Sequence, residues 1–388
     1  MIQKGGCGNR PVAAHFGPVP LGRPWFWLAC LLAGMALLAA ARVEAATMSA
    51  VVVELTGSAD LVFKDGRHQA LKKGDKLEAA QAIETKAGAK VVLQLEDGSK
   101  VEVFEATKIS VNELLPEEES KFSLSLFFGR VMARLKKLRS DDVVITPTMV
   151  AGVRGTDFAV SVAEDGASVV SVENGQVDVS TDKAWDQTSM VQVEAGQEVQ
   201  ADKAGVELKP RPITLQTMES WQAFRKKRLD DLKTRLPEII AHLEKGIDPN
   251  LEILDKIKAL PQDRAEVLKK LDERLASLKP GDVAEKAKLI IQTHMESSNV
   301  FSLLKKFRVQ RMRVQTTFEQ SERLKSLLPS FEKELGPRYK SVDEGLKKIL
   351  GRKGEVKAKE QAISQAFAEA VKPAQPYLLK YKGPHPNN

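Results

Sequence analysis

Two different periods of apolar residues divide the chain. From Ala50 to about Lys209, short runs of Val, Leu, Ile and Phe alternate with polar residues and are separated by glycine-containing turns, the period of two that belongs to strands. Val91, Leu93 and Leu95 precede Asp97-Gly98, and Val101 and Val103 follow it. An Asp-Gly pair supplies the positive φ of a tight turn, so these two runs are expected to pair antiparallel. The same signal recurs at Asp65-Gly66, at Asp165-Gly166 between Phe158-Ala159-Val160 and Val169-Val170, and at Asn174-Gly175 between Val172 and Val177-Asp178-Val179. So many hairpin signals favour an all-β region over βαβ units. Phe122 to Leu138 interrupts the alternation and reads either as a strand running into a turn or as a short amphipathic helix.

From Thr214 the spacing changes to three and four. Leu215, Met218, Trp221, Phe224, Leu229, Leu232 and Leu236 fall along one side of a helix that Pro237 is expected to end. A short helix over Glu238 to Lys245 should follow, then one opened by Asp248-Pro249 over Asn250 to Leu260, and another from Pro261 through Leu278. Lys279-Pro280-Gly281 breaks the chain before a long helix from Val283 to about Leu328, capped by Asp282. A last helix should span about Val342 to Val371, interrupted at Gly351 and Gly354. These lengths predict a helical bundle or antiparallel hairpin rather than one continuous coiled coil. Lys209-Pro210-Arg211-Pro212 reads as a stiff linker over 209–213, which places a β-domain at 46–208 and a helical domain at 214–372. The proline-rich tail, 373–388, is expected to be disordered.

The first 45 residues belong to neither region. Residues 1–24 hold Lys4, Arg10 and Arg23 and no acid, the apolar run Trp25 to Ala41 follows, and Val43-Glu44-Ala45 fits an export peptidase site. This predicts a secretory signal peptide cleaved near Ala45, or an uncleaved anchor, since a run of that length is at the lower limit for spanning a bilayer. Cys7 and Cys30 both lie in this segment, so a cleaved chain has neither a disulfide nor a thiol nucleophile. The protein is therefore expected to be exported, periplasmic or extracellular, with inner-membrane anchoring as the alternative.

Charge separates the same regions. Residues 46–212 carry 20 basic against 27 acidic side chains, and residues 213–388 carry 35 against 24. The acidic β-module is thus expected to dock on the basic helical half, within one chain or between chains, through a contact that high salt weakens. Within the long helix, Lys305, Lys306, Arg308, Arg311 and Arg313 accompany Phe301, Leu304, Phe307 and Met312. Such a stretch is either a solvated face over a bundle core or a patch for an anionic partner, lipid, polysaccharide or acidic protein. Export argues against nucleic acid. Catalytic signatures are sparse: beyond residue 45 the four histidines, His68, His242, His294 and His385, are scattered, and neither a phosphate-binding loop nor a Gly-x-Ser-x-Gly elbow occurs. The expectation is a protein that is not an enzyme and needs no cofactor or metal.

Several runs taken in order resemble the FecR-type periplasmic domain: Gly57-Ser58-Ala59, Leu71 through Leu77, Ile83-Glu84-Thr85, Leu95 through Ser99, and Gly129-Arg130-Val131. The strongest part is Ile145-Thr146-Pro147 through Ala151-Gly152-Val153-Arg154-Gly155-Thr156-Asp157-Phe158, closed by Val172 through Val177. The resemblance covers roughly residues 50–200 and implies an elongated, solenoid-like all-β module that binds partners. Its signature residues are Pro147, Gly152, Arg154, Gly155, Thr156 and Phe158. Pro147 should start a strand or mark an edge, and Gly152 and Gly155 should let the chain bend about Arg154, which either pins two β layers together or contacts a partner. The predicted function is a binding or scaffolding protein that engages an envelope protein or a cell-wall or outer-membrane component. The alternative is a membrane-anchored signal-transduction component, as family members in iron-uptake regulation are.

Overall fold

The computed structural model describes residues 50–63, 65–79, 81–112, 123–136, 142–153, 156–181, 190–202 and 208–381. The segment 1–45 expected to direct export lies outside them, as does 382–388 at the end of the tail.

Strands come first. In chain order they are β1 (Ala50–Thr56), β2 (Ala59–Val62), β3 (His68–Ala70), β4 (Lys76–Leu77), β5 (Ala82–Thr85), β6 (Lys90–Leu95), β7 (Lys100–Val103), β8 (Lys108–Val111), β9 (Ser123–Arg134), β10 (Asp142–Ile145), β11 (Met149–Val153), β12 (Asp157–Val162), β13 (Ser168–Asn174), β14 (Gln176–Thr181), β15 (Met190–Glu194), β16 (Gln197–Ala201) and β17 (Arg211–Pro212). They pair as two sheets that share β9. One runs β4-β1-β6-β7-β9-β12-β13-β16-β17. The other runs β3-β2-β5-β8-β9-β10-β11-β14-β15. The stretch left open between strand and helix is thus the longest strand. Its first half pairs in one sheet and its second half in the other, and Gly129 marks the passage with φ +98°.

Alternation explains the core between the sheets. Val91, Leu93 and Leu95 on β6, Val101 and Val103 on β7, and Phe158, Val160 and Val162 on β12 all point into one apolar cluster. Of the described pairings only β9 with β10 is parallel, so they form a two-sheet arrangement and do not establish solenoid-like stacking. Asp97-Gly98 and Asp165-Gly166 close hairpins as expected, the glycines at φ +79° and +87°. Asn174-Gly175 does not: β13 already pairs with β12 and β16, so the chain crosses there to the second sheet, which keeps both Val172 and Val177 in the core.

The helical half corrects several expected boundaries. The helices are α1 (Met218–Ile257), α2 (Leu260–Ser277), α3 (Val283–Leu327), α4 (Glu332–Leu335), α5 (Arg338–Gly351), α6 (Lys353–Val371) and α7 (Gln375–Lys380). Thr217 and Ser220 cap α1 reciprocally: the Ser220 amide donates to Thr217 Oγ1 at 3.2 Å, and the Thr217 amide to Ser220 Oγ at 3.1 Å. Neither Pro237 nor Pro249 ends α1. Its buried stripe continues across both through Leu236, Ile239, Ile240, Leu243, Ile247 and Leu251. Each such side chain contributes about 1.5–3 kcal/mol when buried, so together they outweigh the ~3 kcal/mol of an interior proline. Asn250 meets Gln310, Arg264 meets Glu296 and Arg274 meets Glu285, so α1 and α2 form one arm of an antiparallel hairpin against α3. The expected linker is an edge strand, β17, where Pro212 is tolerated. The expected tail holds α7, whose Leu378 is buried with Ala265, Leu268 and Val300, so the helical region continues to residue 381.

The β-module and the helices join along buried seams. Val309 and Met312 of α3 cover Phe127, Phe128, Val143, Ile145 and Val150 on the outer face of the second sheet. At the tip of the β12–β13 hairpin, Glu164 pairs with Arg225 of α1 and Arg323 of α3, and Asp165 with Arg228. The acidic module therefore does dock on the basic half within one chain. Glu164 and Asp165 are buried, so the expected sensitivity to salt does not follow.

A second polar knot lies where the sheet hands over to α1. Arg130 is buried and donates to Ser161 Oγ at 3.1 Å and to the Leu215 carbonyl at 2.9 Å. Glu198, also buried, accepts from Thr214 Oγ1 at 2.6 Å, from the Leu215 amide at 3.2 Å and from Arg211 Nε at 3.0 Å. Burial alone would raise the Glu198 pKa, but these donors hold it below the ordinary glutamate value. A lowered folded-state pKa stabilises above the unfolded value, about 4.3, and that contribution is lost as pH falls through the folded value. The wild type should therefore lose stability between about pH 5 and pH 3 more steeply than Glu198→Gln, measured by urea unfolding across that window. Parallel pH curves would show that Glu198 is not linked to folding.

Candidate binding cleft where the β-module meets the helices

Of the FecR-like signature residues, Pro147, Thr156 and Phe158 are buried. Pro147 sits in the turn between β10 and β11, where the Thr146 amide donates to the Met149 carbonyl at 2.8 Å. Gly152 lies inside β11 with Val143 on one side and Asp178 on the other, so the expected bend is not at Gly152. Arg154 and Gly155 lie outside the described residues. Thr156 is buried, its carbonyl accepts the Leu135 amide at 3.1 Å, and its Oγ1 has no hydrogen-bond partner among the described residues. Phe158 is fully buried in the inter-sheet core.

The basic stretch of α3 is divided by packing. Lys306 is exposed, while Lys305, Arg308, Arg311 and Arg313 are half-buried. Arg313 donates to Gln310 Oε1 at 2.8 Å, and Arg311 pairs with Glu360 of α6. Neither a fully solvated face nor one continuous patch results, because α3 is covered by the second sheet on one side and by helices on another.

Arg308 and Arg311 instead line a cleft of about 460 Å3 between α3, α6 and the strands β2, β5 and β8. Its apolar walls include Phe63, Phe127, Leu304, Phe307 and Phe367, with the Phe307 and Phe367 rings stacked at 3.9 Å. Lys108 of β8, buried among these groups, pairs with Glu319 and lies 3.9 Å from Glu84. Burial discourages its charge, but Glu319, Glu84 and Glu322 overcome this and hold the Lys108 pKa above the ordinary lysine value. Lys353 pairs with Glu322 on the same wall, and Ser364 Oγ donates to Glu360 at 3.3 Å. The volume is in the ~300–1,000 Å3 range of small-molecule sites, and the mixture of aromatic walls with a few fixed charges suits an orienting site. Of its charged residues, Arg308 and Arg311 were singled out from sequence; Lys108, Lys353, Lys357 and Glu360 were not, since residues 62–112, 304–322 and 353–371 meet only in the fold. Among the described residues no three His, Cys, Asp or Glu side chains converge as a metal site.

Residues 81–178 match the FecR protein family, roughly a quarter of the chain, from β5 to β14. No curated protein and no solved structure matches the chain. Domains of this type belong to envelope-associated signal-transduction proteins. Among the described residues no helix is long and apolar enough to cross a membrane. With strands extending beyond the matched segment on both sides and long helices following, the chain is a FecR-like protein with a further, helical C-terminal region.

Proposed function

We propose that the protein is an exported, non-enzymatic envelope protein in which the FecR-like module and the helical half act as one binding unit, with the cleft between them as its site. The observation that carries this reading is the cleft itself, whose walls come from both regions. Its apolar and aromatic lining, interrupted by fixed ion pairs, favours holding a ligand. An engaged partner is then an envelope protein or a cell-wall or outer-membrane component that delivers or reads that ligand.

A second reading, a membrane-anchored signal-transduction component, is favoured by the FecR match and by the apolar run Trp25 to Ala41. N-terminal sequencing and fractionation in a Gram-negative host separate the two. A chain beginning near Ala46 in the soluble periplasm is expected for the exported binder, and an intact N-terminus in the inner membrane for the anchored component. Native mass spectrometry of the purified full chain tests the cleft. A co-purified small molecule is expected on the wild type and not on Ala368→Trp, a change at an exposed wall position that fills the site. A ligand retained equally by both proteins would remove the cleft as the site.

A further inference from the structure

Among the described residues the two sheets end in four edge strands, β4 and β17 in one sheet and β3 and β15 in the other. An open edge is a template for another chain, and proteins blunt it with short strands, proline, lysine or bulges. β4 and β17 have two residues each, β17 with Pro212, and β3 has three. β15 is different: Met190-Val191-Gln192-Val193-Glu194 has five residues, neither proline nor lysine, and an unbroken register against β14. The ladder also fixes which way its backbone points. The Thr146 amide donates to the Met149 carbonyl, so Met149, Ala151 and Val153 bond toward β10, and Val150 and Gly152 toward β14. On β14 the main chain of Asp178 and Ser180 then bonds β11, while Val177 and Val179 bond Val193 and Val191 of β15. Met190, Gln192 and Glu194 therefore turn their amides and carbonyls away from β14. The Glu194 amide accordingly donates to Gln197 Oε1, at 3.1 Å. Gln192 is exposed, and among the described residues no strand pairs with the outer side of β15.

From this edge we infer that β15 pairs antiparallel with β15 of a second copy of the chain, about a two-fold axis at Gln192, so that the sheet it ends continues into its copy. The strand is complementary to itself in that register. Gln192 meets Gln192 of the second copy, and Met190 meets Glu194, so no like charges stand directly opposite. Moving the axis to Glu194 would set two carboxylates against each other. On the other face Val191 meets Val193. Val193 is buried in the inter-sheet core with Val177 and Val179, and Val191 packs against the same cluster, so the pairing prolongs that apolar row across the axis. An axis at Gln192 is also the one that engages all five residues of both strands, with the outward groups of Met190, Gln192 and Glu194 forming the ladder; the Glu194 amide exchanges Gln197 for a main-chain acceptor. This contact belongs to the β-module and is independent of what the cleft holds.

Sedimentation velocity of the full chain, from low to high micromolar concentration, tests the assignment. A reversible monomer–dimer equilibrium is expected. Gln192→Lys and Gln192→Glu each set like charges across the axis and should weaken dimerisation about fivefold or more, with melting unchanged because the side chain is exposed. Mixed in equal amounts, these two variants should dimerise again, since opposite charges then meet. Gln192→Pro removes an amide that bonds nothing on β14 and should leave only monomer. If Gln192→Pro melts early, the two charge variants and their mixture decide alone. A wild type that stays monomeric throughout overturns the proposal. So does a dimer that all three variants leave unchanged, or a mixture of the two charge variants that associates no more than either alone.

Discussion

Gly129→Ala is expected to lower stability by about 2–5 kcal/mol, a large share of the ~5–15 kcal/mol that holds a typical domain folded. Two costs combine at this position. Gly129 has φ +98°, a conformation that costs an L-residue roughly 1–2 kcal/mol. A Cβ there would also lie 2.4 Å from Thr107 Cα and 2.5 Å from its Cβ, well inside contact distance. Overpacking of this kind costs about 1–3 kcal/mol, and here the obstacle includes backbone, which no rotamer change removes. Thr107 cannot retreat freely, because its Oγ1 accepts the Arg130 amide at 3.0 Å and its own amide donates to Thr85 Oγ1 at 2.9 Å. Gly196→Ala is the control: φ is +83° but nothing lies within 4 Å of the added carbon, so only the conformational cost remains. Urea midpoints of the two variants separate the terms. Equal midpoints would mean that Thr107 and its neighbours yield, and that the passage of β9 between the sheets is not sterically fixed.

The same residue shows what the sequence could and could not reveal. Gly129-Arg130-Val131 is visible as a piece of the FecR-like pattern, yet nothing in its spacing says that β9 changes sheets there. Alternation identified strands such as β6 and β7 because each turns one row of side chains into the inter-sheet core. It failed over Phe122 to Leu138 because both faces of β9 are covered: Leu124 and Leu126 face the inter-sheet core, while Phe127 and Phe128 meet α3. Prolines misled for a related reason. Local chemistry ends a helix at Pro237, but the stripe shared with α3 extends past it, and tertiary burial decides. The charge imbalance between the halves was legible and its consequence correct in direction. The residues that realise it were not, because Glu164 and Asp165 read as an ordinary Asp-Gly turn. The cleft was least legible, since its cations come from β8, α3 and α6, segments far apart in sequence that meet only in the fold.

Glu164→Ala is expected to destabilise the protein by about 3–5 kcal/mol, the range for removing one member of a buried ion pair. The Glu164 side chain is 2% exposed, while Arg225 Nε donates to its Oε1 at 2.8 Å and the Arg323 guanidinium reaches it at 3.3 Å. Truncation leaves two arginines facing a largely buried seam without their shared carboxylate; Arg323 keeps its place 5.1 Å from the Phe128 ring centroid, and Arg225 keeps its attraction to Glu105. The penalty is thus the cost of the orphaned cations, not the worth of the pair. It follows that Glu164→Leu/Arg225→Met/Arg323→Met, which removes all three charges and keeps apolar volume, should lie within about 1–2 kcal/mol of the wild type. Amide exchange locates the damage: in Glu164→Ala, protection should fall first at the hairpin tip around residues 163–167 and in the first turns of α1. Raising salt from about 0.05 to 1 M should change wild-type stability little, because pairs shielded from solvent are screened far less than surface pairs. A loss below about 1 kcal/mol for Glu164→Ala, or a strong salt dependence of the wild type, would mean that water reaches the cluster. The seam would then be a loose, polar contact, and the two regions would no longer be held closely enough to keep a shared cleft in one shape.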